Sequence, residues 1–213
     1  MAFSFPKIYP ILDSSIIPAA NREDFLRRLA AALADAGVTL LEYRNKTGSE
    51  AEILSDAAIL RTVMPAPQVK LILDDRAEFV AQTGFDGVHV DAGDISPAEA
   101  RRIVGPGRIV GTFGGDTAFL PGILDAPVDY WAVGPVYRTT TKQTDKPPIG
   151  LDGVRKMREL AGPDRVLTCA AGITLETAPL VLAAGATTVA VSAAIFRTPD
   201  PVAEFRRWKA SLG

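Results

Sequence analysis

Charged side chains recur just after short apolar runs in this chain. LEYRNK (Leu41–Lys46) carries Glu42, Arg44 and Lys46; LDDR carries Asp74, Asp75 and Arg76; HVDAGD carries His89, Asp91 and Asp94; GPVYRTTTK carries Gly134, Thr139, Thr141 and Lys142. Arg44, Lys46 and Lys142 can converge as cations from two of these segments, and Asp75 and Asp94 come from neighbouring ones. Cations beside a carboxylate pair suit a magnesium-bridged polyphosphate, with hard oxygen ligands for the metal and ammonium and guanidinium groups for the phosphate oxygens. The small residues of AAGIT, with Gly172, and of VSAAI, with Ser192, suit a monophosphate held by backbone N–H groups. Two phosphate sites imply two phosphorylated substrates.

Each element also has a plainer reading. A DDR triplet alone is an exposed cap with a surface ion pair, and TTTK alone is a polar loop. Glu42 can pair with Arg44, and His89, between Val88 and Val90, reads first as a core histidine. Cys169 is the one cysteine, which rules out an intramolecular disulfide and a cysteine-rich zinc site and fits a reducing compartment. A single histidine rules out a two-histidine metal site and leaves one possible imidazole base. The functional reading rests on the coincidence of these groups.

The elements that must position them alternate along the chain. Eight strands are expected, at Ile8–Leu12, Thr39–Tyr43, Val69–Leu73, Gly87–Val90, Arg108–Gly111, Tyr130–Val133, Val166–Cys169 and Thr188–Val191. They are short and apolar on successive positions, as strands covered on both faces should be. Helices are expected at Arg22–Ala36, Glu50–Val63, Glu78–Thr83, Pro97–Val104, Gly153–Leu160 and Pro201–Leu212. In the first, Phe25, Leu29, Ala32 and Leu33 make the apolar face; in the last, Phe205 and Trp208 share a stripe. DAGVTLLEY, QTGFDGVHV and AAGATTVAV repeat one punctuation, a helix end, a glycine cap and then a strand. Alternating units of this kind build a parallel sheet with right-handed crossovers.

The chain of 213 residues is expected to form one domain over residues 1–213, a (β/α)8 TIM barrel near the lower end of that fold's size range. An open doubly wound sheet is the structural alternative, but no GxGxxG follows the first strand. The chemistry of a barrel lies at the C-terminal ends of its strands, where all the segments above fall. Tyr137–Pro148 is the longest irregular stretch, and a loop of that length is functional or mobile. A formal net charge of −2 gives no global basic footprint for nucleic acid. The N-terminus lacks a signal-peptide pattern and no apolar run is long enough to span a membrane, so a soluble cytoplasmic protein, monomer or homo-oligomer, is expected.

The ordered set LEYRNK, LILDDR, GFDGVHVDAGD, RIVGT, DYWAVGPVYRTTTK, AAGIT and AAGATTVAVSAAI resembles the thiamine-phosphate synthase family over about residues 7–195. Its most specific pieces are the Arg-x-Lys after the second strand, DGVH followed by an acid, and the GP-x-Tyr-x-Thr-x-Thr-Lys loop. The resemblance implies a magnesium-dependent transferase. It would join a pyrimidine pyrophosphate to a thiazole phosphate and release pyrophosphate. It further implies that Arg44, Lys46 and Lys142 hold the pyrophosphate and that Asp75 and Asp94 hold Mg²⁺. Thr139 and Thr141 would line the thiazole phosphate side, Gly172 would donate its backbone N–H to that phosphate, and Glu42 would lie near the pyrimidine.

The chain departs from the family pattern at several of these positions. Glu42 stands where the family has glutamine, Asp74 where it has asparagine on the pyrophosphate, and Phe113 where it has serine near the pyrimidine. Ala171-Gly172-Ile173 replaces Gly-Gly-Ile, and Ser192-Ala193 replaces Val-Ser. Two added carboxylates beside a polyanion weaken its binding by repulsion unless a metal or a proton neutralises them. The related thiazole tautomerase branch places a histidine after the fifth strand, where this chain has Gly114 and Gly115. The alternatives are a divergent paralogue acting on another phosphorylated heterocycle, and a non-catalytic barrel that binds thiamine intermediates.

Overall fold

In a computed structural model, residues 3–91, 93–115, 124–139 and 147–213 are described. Eight strands form a closed parallel barrel in chain order: β1 (Ile8–Asp13), β2 (Leu40–Arg44), β3 (Lys70–Asp74), β4 (Gly87–Val90), β5 (Ile109–Gly115), β6 (Tyr130–Val133), β7 (Val166–Ala170) and β8 (Thr188–Val191). β8 closes the ring on β1 through the register Ile8–Val189 and Pro10–Val191. The helices among the described residues are α1 (Arg22–Asp35), α2 (Glu50–Val63), α3 (Val80–Thr83), α4 (Pro97–Val104), α5 (Gly150–Ala161), α6 (Ala178–Ala183), α7 (Ala193–Phe196) and α8 (Pro201–Leu212). None is long and apolar enough to cross a membrane.

Local chemistry sets the helix boundaries. Ser49 and Ser96 accept the N–H groups of Glu52 and Glu99 at the starts of α2 and α4, and Asp200 caps α8 ahead of Pro201. Each cap satisfies an N–H that the helix cannot. The three repeated glycines, Gly37, Gly84 and Gly185, all take left-handed φ angles where a helix gives way to the next strand.

Several expected boundaries shift. β5 runs on to Gly115 with a register break between Phe113 and Gly115, and α5 begins at Gly150. The helix expected over Glu78–Thr83 is a 3-10 turn, Ala77–Phe79, followed by α3. α1 buries Leu29 and Leu33 as expected, but with Leu26 and Ala30 in place of Phe25 and Ala32. The i, i+3, i+4, i+7 stripe that starts at Leu26 contains all three leucines, and Phe25 and Ala32 flank it half-buried. α6 and α7 are additional, and at one or two turns they are too short to show a periodic stripe. In α8, Phe205 and Trp208 are buried together as expected.

Strand alternation separates two interiors. Outward residues such as Leu41, Tyr43, Leu73 and Trp131 pack under the helices in the larger core. Inward residues Tyr9, Leu40, Ile72 and Tyr130, with Ala132 and Ala190, form a second cluster in the bore. Gly111 belongs to the bore by necessity, since a Cβ there would lie 1.9 Å from Cζ of Tyr130.

Candidate active site

A cavity of about 1080 Å³ opens at the C-terminal ends of the strands and reaches down into the bore. Its two sides differ. On the β1–β4 side the walls are Tyr9, Asp13, Glu42, Arg44, Asp74, His89 and Asp91; on the β6–β8 side they include Ala132, Gly134, Ala170, Gly172, Ala190 and Ser192. The small residues leave the room, and the large and charged ones face it.

At the rim, ions interlock. Arg44 pairs with Asp13 and lies 3.6 Å from Asp74, while Lys46 reaches Asp74 at 3.0 Å and also pairs with Asp75. Asp74 is only 5 % exposed. Burial favours the neutral amine of Lys46, but the charges of Asp74 and Asp75 outweigh it and push the ammonium up to about 12. Burial raises the Asp74 carboxyl against the pull of Lys46, His89 and Arg44. The repulsion expected from Asp74 is therefore countered within the chain, since two cations already share this carboxylate. The expected Glu42–Arg44 pair does not form; Arg44 turns to Asp13 and Asp74. Only Arg76 keeps the plain surface role of the DDR triplet, 3.5 Å from Glu78.

Asp75 sits in the left-handed region at φ 66°, a conformation of the kind held at sites rather than in unconstrained loops. Burial, then the neighbouring carboxyl of Asp94, push Asp75 up to about 6, and its Oδ1 is buried without a hydrogen-bond partner among the described residues. Such a pair suits a hard cation. No group of three or more His, Cys, Asp or Glu is placed to hold a metal ion among the described residues. Two carboxylates completed by water and substrate oxygens are nevertheless the usual provision for Mg²⁺. The donor set thus fits the ion.

Deeper in the bore runs a chain of polar contacts. Tyr9 donates to Oε2 of Glu42 at 2.8 Å and lies 3.1 Å from the Tyr130 hydroxyl, which lies 3.0 Å from Nδ1 of His89. Nε2 of His89 is 3.5 Å from Asp91. Burial favours neutral imidazole, but Asp91 and Glu42 outweigh it and raise His89 to about 9. Burial raises Glu42 to about 7, against the opposing charge of His89. His89 is thus buried and hydrogen-bonded, as a core or structural histidine would be, and is also part of the cavity wall. Cys169 is buried in the outer core, and burial pushes its thiol up to about 12, away from reactivity.

The expected site residues divide into three groups. Glu42, Arg44, Asp74, Phe113, Thr139, Gly172 and Ser192 line the one cavity. Lys46, Asp75 and Asp94 form the adjoining rim. Thr141 and Lys142, and residues 140–146 of the expected loop, lie outside the described residues. The sequence reading missed Tyr9, Asp13, Tyr130 and Arg138, which also line the cavity. The available signal was strand parity, since Tyr9 and Asp13 share the inward face of β1. Gly172 has φ 70°, and a Cβ there would lie 2.5 Å from the carbonyl oxygen of Arg138. The segment after β6 is stitched to β7 at that point by Val136 N–H to Ala170 O and Tyr137 N–H to Ala171 O.

Comparison with known proteins agrees with this geometry. The family model described as thiamine monophosphate synthase matches residues 8–195. Thiamine-phosphate synthase of Koribacter versatilis is 41 % identical over 91 % of this chain and 90 % of its own length. That of Agrobacterium fabrum is 36 % identical over 91 % and 88 %. Among solved structures, thiamine phosphate pyrophosphorylase from Pyrococcus furiosus superimposes with a TM-score of 0.80 at 25 % identity, covering 97 % of each chain. A closed barrel with its ion cluster and cavity at the strand ends, matched along nearly its whole length, places the chain in the thiamine monophosphate synthase family.

Proposed function

We propose that this chain is a transferase that joins 4-amino-5-hydroxymethyl-2-methylpyrimidine pyrophosphate to thiazole phosphate, giving thiamine monophosphate and pyrophosphate. The observation that carries this reading is the interlocked rim, where Arg44 and Lys46 share buried Asp74 beside the Asp75–Asp94 pair. Incoming pyrophosphate would exchange with Asp74 for these cations, and Lys142 would add a third. Asp75 and Asp94 would hold Mg²⁺, which when bound neutralises charge on the pyrophosphate oxygens. Thr139, Thr141, Gly172 and Ser192 would take the thiazole phosphate, with Phe113 and Glu42 against the pyrimidine.

The reaction breaks the bond from the pyrimidine methylene to the pyrophosphate oxygen, and both electrons leave with the pyrophosphate. The lone pair of the thiazole nitrogen forms the new carbon–nitrogen bond. The chain's own contribution is preorganised positive charge where the leaving group becomes more negative, often the largest part of catalysis. No protein nucleophile is required, which accords with the inert Cys169. The single cysteine supports a cytoplasmic setting.

Purified protein, Mg²⁺ and both substrates should release pyrophosphate and form thiamine monophosphate in equal amounts. No product at high enzyme concentration overturns the proposal. Lys142→Ala should lower kcat/KM by about a hundredfold or more with the fold intact.

A further inference from the structure

The floor of the cavity has a donor and acceptor pattern that the rim does not need. Glu42 is 3 % exposed, yet it lines the cavity between aromatic side chains. Its Oε2 is held by the Tyr9 hydroxyl, and Tyr9 is itself held against Tyr130, whose ring fits because Gly111 has no side chain. The carboxyl group is therefore fixed in orientation by three strands. Across the bore the walls are Ala132, Ala170 and Ala190, which leave space for a flat ring.

A carboxyl group meets an aminopyrimidine edge in a defined way. The exocyclic amino group donates one hydrogen bond, and the adjacent ring nitrogen offers a lone pair. An ionised carboxylate can only accept. It therefore satisfies the amino group but sets a second oxygen against the ring lone pair. The pair closes with two hydrogen bonds only when one proton lies between the carboxyl oxygen and the ring nitrogen. A glutamine amide, which both donates and accepts, closes the same pair with no proton taken up.

We propose that Glu42, oriented by Tyr9 and Tyr130, reads the amino-bearing edge of the pyrimidine through a two-point pair containing one shared proton, so that binding of this substrate takes up a proton. The inference rests on the function proposed above, which already sets Glu42 against the pyrimidine, and adds to it the shared proton. The surroundings of Glu42 permit the uptake. Tyr9 faces it from β1 and Arg44 follows it on β2. Asp74 comes from β3, His89 and Asp91 from the β4 side, and Tyr130 from β6. Burial lifts the carboxyl to about 7, so the proton is within reach at neutral pH.

The test uses the full chain and, as probe, the monophosphate of the same aminopyrimidine, which carries the ring without the leaving group. Titration calorimetry in buffers of different ionisation enthalpy counts the protons taken up. At about pH 8 the wild type should take up close to one proton more than Glu42→Gln, and at about pH 6 the difference should shrink towards zero. The affinity of the wild type, relative to the variant, should fall about tenfold per pH unit above the carboxyl's folded value. Tight binding by both proteins with equal uptake overturns the shared proton and leaves the proposed reaction standing. Failure of both proteins to bind the probe overturns the pyrimidine site itself, and with it the reaction. Glu42→Gln keeps shape and volume, and an unchanged melting temperature verifies that it folds.

Discussion

Two sets of buried and half-buried carboxylates flank the same strands, and they are provisioned differently. Asp56 of α2, 1 % exposed, takes two bonds from Arg22 Nε at 2.9 and 3.0 Å and another from the Tyr43 hydroxyl. Asp86 takes bonds from Lys70 at 2.8 Å, from Arg61 and from the Leu71 N–H at 3.0 Å. Burial works against the charge of Asp86, and its donors outweigh it, holding the carboxyl below the usual carboxylate range. Glu42, Asp74 and Asp75 are shifted the other way, all upward, with burial first among the causes. A carboxylate whose donors are complete joins elements together. One with too few donors is left to meet a cation, a proton or a ligand, and such groups gather where function is carried out. Tyr43 and Glu42 are adjacent in β2 yet belong to opposite sets.

That contrast can be broken by experiment, beginning where the effect is largest. Arg44→Ala should lower kcat/KM by about a thousandfold in the folded protein, because its loss removes charge aimed at the leaving group. Activity within a few-fold of wild type would erase the distinction at the rim. Asp56→Ala should do the reverse. It leaves Arg22 with Glu52 alone and takes the acceptor from the buried Tyr43 hydroxyl, costs about 1–3 kcal/mol in denaturant unfolding, and leaves kcat of the folded fraction near normal. For Asp86→Asn the stability loss should depend on pH. Because the folded carboxyl lies below its unfolded value, its contribution is complete above about pH 4 and disappears as pH falls through the folded value. A deficit that persists at acidic pH would contradict this.

The finer predictions sharpen the contrast. Tyr9→Phe removes a bond that lowers the Glu42 carboxyl, so the pH midpoint of pyrimidine affinity should move upward. An unmoved midpoint would make Tyr9 packing alone. The smallest effect is expected at Ala171, which holds φ 72° without being glycine. Ala171→Gly should raise unfolding stability by up to about 1 kcal/mol, the left-handed strain of alanine being partly offset by glycine's freedom in the unfolded chain.

Much of this was legible in the chain. Gly37, Gly84 and Gly185 mark helix-to-strand turns by backbone sterics alone, so the alternation could be read without tertiary information. Arg44, Lys46 and Asp75 follow from strand ends once a barrel is assumed. Tyr9 and Tyr130 did not, because only barrel closure brings β1 and β6 to the same bore, and each sits in a run that reads as ordinary apolar strand. Asp13 was missed likewise, since its partner Arg44 arrives from β2 through the β1–β2 register. His89 is buried as the sequence suggests, yet its place on the cavity wall was missed for the opposite reason. Its flanking valines point outward, and parity alone puts the imidazole in the cavity.

The alternation of β2 also constrains how the gene can change. Glu42 faces the bore and Tyr43 the helices, in register with Ile72 and Leu73 of β3. Point substitutions alter one face at a time. A single codon inserted or deleted before Glu42 would exchange the two faces, putting the carboxyl among the apolar helix contacts and the tyrosine in the cavity. Length changes in this lineage should therefore collect in the connections between elements, and β2 should diverge by substitution alone.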